Sequence, residues 1–285
     1  MARQRIVAGV AATLTWQATD QNGEPADPGT TTVGVVDSTG TTVIASGTAT
    51  TISGTARTVA IAAQDIDTLT VTWTGATATG TTYVDVVGGV YFTVAALRAA
   101  HPTMADTTTY PTASIQTART VVEAVFERSV GYPFVPRLAT VQVSDGFAAI
   151  RGVKRVRWAQ SATHSPWVYE EDTADLALST RIIDDGVVCS SNYRQLGVVY
   201  GYDQPPPDIY RHAMNYAKHL LTEGTSGIDM RIMAMQEMEG AQVQFATPGL
   251  SVWVTGIPTI DEALKDYRNR HRRTPRPIRS GAWFA

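Results

Sequence analysis

Hydrophobic residues recur along this chain with two different periods. Over residues 1–92, apolar and polar residues alternate in short runs, which is the period of a half-buried β-strand. The predicted strands are Ala12–Ala18, Thr32–Val36, Thr42–Ala45, Thr58–Ala62, Leu69–Trp73 and Thr82–Val87. Turn-forming pieces such as Asn22-Gly23 separate them. We therefore predict an antiparallel, immunoglobulin-like β-sandwich over residues 1–92, with Trp16 and Trp73 in its core.

The clearest helical period lies between Tyr110 and Arg137. A stripe of three- and four-residue steps contains Ile115, Ala118, Val122, Val125, Phe126 and Ser129. The polar residues Gln116, Arg119, Glu123 and Glu127 are predicted to lie mostly off that stripe. Pro111 and Thr112 suit the helix start, and Gly131 suits its end. This pattern predicts an amphipathic helix that anchors a core.

Further helices are predicted on both sides of this one. A short helix follows a Thr93 cap, and another follows Pro205-Pro206-Pro207 and ends at Gly224. The inner stripe of the latter contains Ile209, Ala213, Tyr216 or Ala217, and Leu220. The methionine-rich stretch Met230–Met238 is also predicted to be helical, and Ala241–Ala246 to be a strand. Thr259 and Glu262 have capping-box spacing and open a last helix, with Ile260, Ala263, Leu264 and Tyr267 on one side.

Strand patterns return after Arg137. They cover Thr140–Val143, Lys154–Trp158, Trp167–Tyr169, Ile182–Cys189 around an Asp185-Gly186 turn, and Leu196–Tyr202. The predicted class is therefore α+β, with an antiparallel β region inserted into a helical domain. The predicted domains are residues 1–92, residues 93–260 with the insertion at about 138–202, and residues 261–285, a C-terminal helix and basic arm.

Composition narrows the class of protein. The chain is 44% hydrophobic and 17% charged, and no apolar run approaches the roughly 20 residues of a membrane-spanning helix. The apolar run Ile6–Leu14 leads into a strand pattern without a clear cleavage site, so we do not expect export through a signal peptide. The single cysteine, Cys189, fits synthesis in a reducing compartment.

The sequence offers little evidence for a catalytic or metal site. The histidines are His101, His164, His212, His219 and His271, and they lack a His-Glu-x-x-His or paired-cysteine context. Cys189 fits a small buried hydrophobe better than a nucleophile. The acidic clusters Glu170-Glu171-Asp172 and Asp184-Asp185 could form a hydrolase pair or a cation site, but solvated turns are the simpler interpretation. We predict no enzyme activity, metal or cofactor.

Two parts of the chain carry a resemblance to a known family. The first is the helix pattern Ile115, Arg119, Glu123 and Glu127 with its exit at Phe134–Arg137. The second is the order of a proline-led helix, a strand, Thr255–Pro258, and a short helix that runs into Tyr267-Arg268-Asn269-Arg270. This order resembles the head-to-tail connector (adaptor) proteins of long-tailed, siphovirus-type bacteriophages. The resemblance covers about Ala95–Arg279, excludes the N-terminal sandwich, and is loose over Leu138–Tyr202.

The resemblance implies a structural virion protein of the neck. It would form a ring of twelve copies beneath the portal, contact a stopper or other tail proteins, and line the channel through which genomic DNA passes. It would be made in the bacterial host cytoplasm and bind no membrane. The stretch from Asp261 onward has seven Arg or Lys against three Asp or Glu, so it carries +4 while the rest carries −7 of the total −3.

We predict that this basic stretch binds the portal. The predicted partner-binding residues are Leu264, Tyr267, Arg268, Arg270, Arg272, Arg273, Arg276, Arg279, Trp283 and Phe284. The alternative function is a surface-binding module, in which the immunoglobulin-like domain recognises a glycan or a protein. Exposed aromatic residues clustered at one end of the sandwich would favour that alternative.

Overall fold

The fold combines sheets with helices, and most of its elements are strands. The computed structural model describes residues 4–161, 169–171, 180–189, 192–226, 235–238, 241–244 and 254–271. The chain divides into two compact units. The first unit comprises Met1–Val90 and Pro133–Gln204, and the second, the helical unit, comprises Tyr91–Tyr132 and Pro205–Ala285. The predicted α+β class is confirmed.

Eight strands precede the first helix. They are β1 Gln4–Val7, β2 Ala12–Gln17, β3 Thr31–Val36, β4 Thr42–Ala49, β5 Thr51–Ser53, β6 Ala56–Ile61, β7 Asp67–Gly75 and β8 Thr79–Val87. One sheet has the order β1-β8-β7-β3-β4 and the other the order β2-β6-β5. The six strands predicted from alternation are all present. Strand β1, which pairs in parallel with β8, and the short β5 were not predicted.

These two sheets share one hydrophobic core. Alternate residues of both sheets point into it, including Leu14 and Ile61 from one sheet and Val35 and Val71 from the other. Trp16 and Trp73, one from each sheet, stack with their ring centroids 5.8 Å apart. The prediction that both tryptophans are core residues is therefore confirmed. Burial of large side chains from both sheets is what holds two such layers together.

In the second β region of the first unit, the described residues form seven strands. They are β9 Arg137–Gln142, β10 Phe147–Ala149, β11 Val153–Ser161, β12 Tyr169–Glu171, β13 Thr180–Ile183, β14 Gly186–Cys189 and β15 Tyr193–Tyr200. They form one sheet of order β12-β11-β15-β9 and another of order β10-β14-β13. Val156, Val187, Leu196 and Val198 contribute to a shared core. Every pairing within these two sheets is antiparallel, as predicted from the hairpin pattern.

The turn chemistry differs from the prediction by one residue. The β13–β14 turn is formed by Asp184 and Asp185, and Gly186 is the first residue of β14. Glycine is needed there because a Cβ would lie 2.3 Å from the carbonyl oxygen of Ala148. The Asp-Gly hairpin turn with positive φ is instead Asp145-Gly146, with φ of 52° and 74°. That turn and the strand β10 that follows it were not predicted.

The second β region packs with the N-terminal strands and belongs to the same compact unit. Arg155 Nη2 donates to both carboxylate oxygens of Asp65, at 2.6 and 2.5 Å. Trp158 Nε1 donates to Ser38 Oγ at 2.9 Å, and the backbone N–H of Gly88 donates to the carbonyl of Pro136 at 2.8 Å. The structure thus differs from the predicted domain order, in which residues 138–202 were an insertion of the helical domain.

The helical unit is built around the predicted central helix. Its elements are α1 Val94–Ala100, a 3₁₀-helix Pro102–Ala105, α2 Thr112–Val130, α3 Pro207–Ser226, the hairpin β16 Met235–Met238 and β17 Ala241–Gln244, and α4 Pro258–His271. Helix α2 packs against both α3 and α4. Its buried stripe contains Ile115, Ala118, Val122 and Phe126, and Gly131 ends it with φ of 74°. These features of α2 were predicted, as was the Thr93 side chain that caps α1.

Three helix predictions are corrected. Residues Met235–Met238 form a strand and not a helix, while Met230 to Ala234 lie outside the described residues. Helix α3 continues through Gly224 to Ser226. Helix α4 begins at Pro258, so Thr259 lies within the first turn and is not the residue that caps it.

Two aspartates in the first unit have pKa values shifted in opposite directions. Burial raises the pKa of Asp67 above its ordinary value of 3.8, although hydrogen bonds from Ser38 and the Thr68 N–H act against this. Burial would also raise the pKa of Asp65, but hydrogen bonds from Arg155 and Ile66 and the charges of Arg155 and Arg157 lower it overall below 3.8. Ionisation of Asp67 therefore opposes folding, and ionisation of Asp65 favours it.

We expect Asp67→Asn and Asp65→Asn to show opposite pH dependence. The Asp67 carboxylate destabilises the fold above its raised pKa, so Asp67→Asn should gain stability relative to the parent protein as pH rises from about 4 to 7. The Asp65 carboxylate stabilises the fold above pH 3.8 and loses this effect as pH falls through its lowered pKa, so Asp65→Asn should lose stability relative to the parent at pH 7. Urea unfolding of all three proteins from about pH 2 to pH 7 measures both effects, since the Asp65 effect changes below pH 3.8 and the Asp67 effect above it. The same sign of slope for the two variants would contradict the assignment.

Candidate functional site

Three side chains of α2 hold the first two residues of the helical unit. Glu123 is 1% exposed, and its Oε1 accepts the backbone N–H of Tyr91 at 2.9 Å. Arg119 Nη1 donates to the carbonyl of Phe92 at 3.2 Å, and Arg119 Nε lies 4.0 Å from Glu123 Oε1. Glu127 Oε1 accepts the Tyr91 hydroxyl at 3.1 Å. We call Arg119, Glu123 and Glu127 the Tyr91 anchor.

The Tyr91 anchor corrects one prediction and explains one motif. Glu123 was expected to lie mostly off the buried stripe, yet it is among the most buried residues of α2. Residues four apart lie on one face of a helix, so Arg119, Glu123 and Glu127 form a polar row beside the apolar stripe. This row is the same Arg-x-x-x-Glu-x-x-x-Glu pattern that carries the family resemblance. The signal was present in the sequence, but its partner, the backbone at Tyr91, could not be read from spacing.

A buried aspartate organises the start of α4. Asp261 Oδ1 accepts the backbone N–H of Thr255 at 3.0 Å, the Thr255 hydroxyl at 3.1 Å and the backbone N–H of Val254 at 3.2 Å. The Thr255 hydroxyl oxygen in turn accepts the N–H of Ile257 at 3.2 Å. These bonds fold the Thr255–Pro258 segment back onto the first turn of α4. The local order of Thr-Gly-Ile-Pro before an Asp-containing helix, also part of the resemblance, is thus a capping structure.

Two of the predicted partner-binding residues are buried in the chain's own fold. Leu264 is 2% exposed and Tyr267 is 6% exposed. The Tyr267 hydroxyl donates to Asp208 Oδ1 at 3.0 Å, which joins α4 to the first turn of α3. The prediction that Leu264 and Tyr267 form the docking surface of α4 is therefore wrong, because a side chain that is already packed in the monomer cannot present its surface to another protein.

The remaining predicted partner-binding residues fall into two groups. Arg268 is half-buried, and Arg270 is exposed, with its guanidinium 4.9 Å from the centre of the Tyr267 ring. Arg272, Arg273, Arg276, Arg279, Trp283 and Phe284 lie outside the described residues. The last turn of α4 therefore presents one exposed arginine on a packed helix, just before the basic tail.

The histidines of the helical unit have separate surroundings. Burial lowers the pKa of His101, and the nearby charge of Lys218 adds to this. Burial and Arg211 lower the pKa of His212, although Asp208 acts in the opposite direction. His271 stacks on Tyr132 at 4.0 Å between ring centroids. Among the residues that the structure describes, no group of three or more His, Cys, Asp or Glu side chains could hold a metal ion.

The other candidate chemistry has structural roles in the first unit. Cys189 packs against the core of the second β region, and burial raises the pKa of its thiol. The side chain is only partly buried, and this packing is consistent with its predicted role as a small hydrophobe. Asp185 pairs with Arg151 at 3.0 Å in the β13–β14 turn. Glu170 and Glu171 lie in strand β12 and not in a turn as predicted, and Asp172 and His164 lie outside the described residues.

Aromatic exposure bears on the alternative function, a surface-binding module. Trp16, Trp73, Tyr91 and Phe92 are buried, whereas Tyr83 on β8 is 44% exposed. No cluster of exposed aromatic residues is therefore seen among these five.

Within the described part of the chain, no helix is long and apolar enough to cross a membrane.

The chain has little similarity to known proteins. No protein-family model matches the chain, and a search of curated protein sequences finds no match. Two solved structures that the chain resembles are both of the S-layer protein SbsC. Domains 5-6 of that protein are 15% identical with a TM-score of 0.22, covering 72% of this chain and 83% of the other. Domains 4-9 are 14% identical with a TM-score of 0.22, covering 70% and 26%. Similarity at this level defines neither a fold nor a function.

Removing the central carboxylate of the Tyr91 anchor should destabilise the protein. Glu123→Ala leaves the buried N–H of Tyr91 without its acceptor and removes the charge beside Arg119, so we expect a loss of about 2–3 kcal/mol in the free energy of unfolding. Glu123→Gln keeps an acceptor oxygen and should lose about half as much. The exposed Glu262→Ala on α4 is the control and should change stability by less than about 0.5 kcal/mol. Equal effects of Glu123→Ala and Glu262→Ala in urea unfolding would contradict the role of the anchor.

Proposed function

We propose that the protein is a head-to-tail adaptor of a tailed bacteriophage, a structural protein that forms a ring beneath the portal and surrounds the passage for DNA. The proposal starts from the family resemblance in the sequence. Such a protein functions by assembly, through the surfaces that bind other copies of the chain and the surface that binds the portal. Closed rings arise when one face of a subunit binds a different face of the next and the rotation closes.

One observation supports the proposal above the others. The two stretches that carry the resemblance, α2 with its Arg119-Glu123-Glu127 row and the Thr255–Pro258 segment with α4, lie in the same compact unit. They are far apart in sequence, yet α2 packs directly against α4. Residues 1–90, which lack the resemblance, and Leu138–Tyr202, which match it loosely, lie in the other unit, together with the exit segment Phe134–Arg137. A shared order of elements that also forms one core is a stronger basis for kinship than either motif alone.

The proposal also assigns an identity to each of two domains. We interpret the helical unit as the adaptor domain and the eight N-terminal strands as an immunoglobulin-like sandwich. Immunoglobulin-type domains divide their strands between two sheets with Greek-key connections, and β2, β6 and β5 face β1, β8, β7, β3 and β4 in that manner. The Asp65–Arg155 and Trp158–Ser38 bonds further suggest that this sandwich and the second β region act as one body.

Because Leu264 and Tyr267 are buried, they are removed from the proposed portal-binding surface. These two residues hold α4 in place, and Arg270 with the basic tail from Arg272 onward is left as the proposed contact with acidic side chains of the portal. Arginine suits this role because its planar fork pairs with carboxylates through two hydrogen bonds. Trp283 and Phe284 would supply the apolar anchors of the same contact.

We expect the purified protein to form closed rings, either alone or on contact with portal rings. Negative-stain electron microscopy shows a ring with a central hole directly, and light scattering gives its mass. A monomer in both preparations would overturn the proposed function.

Removing residues 272–285 should separate folding from portal binding. This truncation leaves Tyr267 and its bond to Asp208 in place, so circular dichroism and thermal unfolding should stay close to those of the full chain. Co-sedimentation with portal rings should be lost. The matched variant Tyr267→Ala removes a buried ring and its hydrogen bond, and should instead lower stability by about 3–5 kcal/mol. A truncated protein that still co-sediments with portal rings would move the docking surface elsewhere.

A further inference from the structure

The first unit contains a groove between its five-stranded sheet and strand β9. The core side of this sheet is apolar, since Leu69, Val71 and Val84 are buried. The residues that alternate with them face outward and form two cross-strand pairs, Thr70 with Tyr83 and Thr68 with Asp85. Strand β9 approaches this outer face and forms the opposite wall of the groove.

The open part of the groove has a volume of about 390 Å³. Its lining is rich in hydroxyl groups and includes one aromatic ring; it consists of Asp37, Ser38, Thr68, Thr70, Tyr83, Leu138 and Thr140. An inner pocket of about 120 Å³ adjoins it and shares Thr68 and Leu138. Sites for small molecules have volumes from roughly 300 Å³ upward, so the open part alone has room for one.

Hydrogen bonds fix the floor of the groove. Trp158 Nε1 donates to Ser38 Oγ at 2.9 Å, and Ser38 in turn bonds to the buried carboxylate of Asp67. The same carboxylate accepts the backbone N–H of Thr68 at 2.6 Å. Ser38 and Thr68 therefore keep their positions without a ligand, and a preformed polar site loses less entropy when it binds.

The charges of the groove favour a neutral ligand. Asp37 Oδ1 already accepts the backbone N–H groups of Thr39 and Thr41, both at 2.9 Å. Asp67 is used in the floor. Asp85 and Arg137 both line the inner pocket, so that end of the groove contains one carboxylate and one guanidinium. A phosphate would meet carboxylates, and a lysine or arginine side chain would meet Arg137 at the inner end.

We propose that this groove binds a neutral saccharide. A sugar ring has an apolar face of C–H groups and an edge of hydroxyl groups, and the lining offers a partner for each. The 44% exposed ring of Tyr83 supplies a surface for the C–H face. The hydroxyls of Thr68, Thr70 and Thr140 and the carboxylate of Asp85 supply donors and acceptors for the edge. This binding site is independent of ring assembly and lies outside the helical unit.

The test uses saturation-transfer NMR on the full chain with a fixed panel of neutral sugars at about 10 mM, a concentration that detects millimolar affinity. The panel contains the methyl glycosides of glucose, galactose, mannose and N-acetylglucosamine, together with maltotriose and chitotriose. We expect transfer to at least one of them. Tyr83→Ala and Asp85→Asn should each weaken that binding by roughly fivefold or more. The control Ile52→Ala, an exposed residue of the other sheet, should leave it unchanged.

The remaining outcomes would overturn the proposal. Thermal unfolding checks that each variant is folded, and Tyr83→Phe, which keeps the ring, should retain most of the affinity. Absence of transfer to every sugar of the panel contradicts a saccharide site, as does transfer that Tyr83→Ala leaves unchanged. A synthetic peptide of residues 268–279 is measured alongside. If only this arginine-rich peptide binds, and Asp85→Asn abolishes its binding, the groove receives a basic segment of protein instead.

Discussion

The helical unit depends on one buried carboxylate. Glu123 gives up its hydration to accept the N–H of Tyr91, and a buried carboxylate is tolerated only when hydrogen bonds and an opposite charge replace its water. Arg119 provides the charge and at the same time holds the carbonyl of Phe92. The backbone at the start of the unit is thus held at both a donor and an acceptor, by side chains one turn apart on α2.

From this fixed point, contacts between aromatic rings extend through the core. The Tyr91 ring meets Phe126 of α2 edge-on at 6.3 Å between centroids, and Phe126 stacks on Tyr216 of α3 at 6.0 Å. The same helix packs against α4, whose position is secured by the bond between Tyr267 and Asp208. A displacement of Tyr91 would therefore shift α2, α3 and α4 as well, because close-packed interiors transmit displacements.

The elements of this fold were largely predictable from the sequence, whereas the partners of its polar groups were not. Period and punctuation were enough to find α2 between Pro111 and Gly131 and the six longer strands of the sandwich. Met235–Met238 was assigned to the wrong element because a short apolar run has no decisive period. Glu123, Leu264 and Tyr267 were placed on the wrong surfaces for a different reason. A one-dimensional pattern shows which face a residue shares, but it does not show what packs on that face. The groove beside Tyr83 could not be predicted for the same reason, since its lining comes from three separate stretches, residues 37–38, 68–85 and 137–140.

The first unit is assembled from two stretches of chain that leave the ribosome at different times. Asp65 and Arg155 are 90 residues apart, and Ser38 and Trp158 are 120 apart. At synthesis rates of about 5–20 residues per second, the N-terminal strands wait roughly 5–25 s for these partners. During that interval the outer face of the five-stranded sheet is open, and Asp65 is without the arginine that later binds it. The nascent sandwich therefore exposes an acidic, threonine-rich surface. Its last native contacts form only after the second stretch has been synthesised, so the rate of translation, and not the rate of its own collapse, sets when they form.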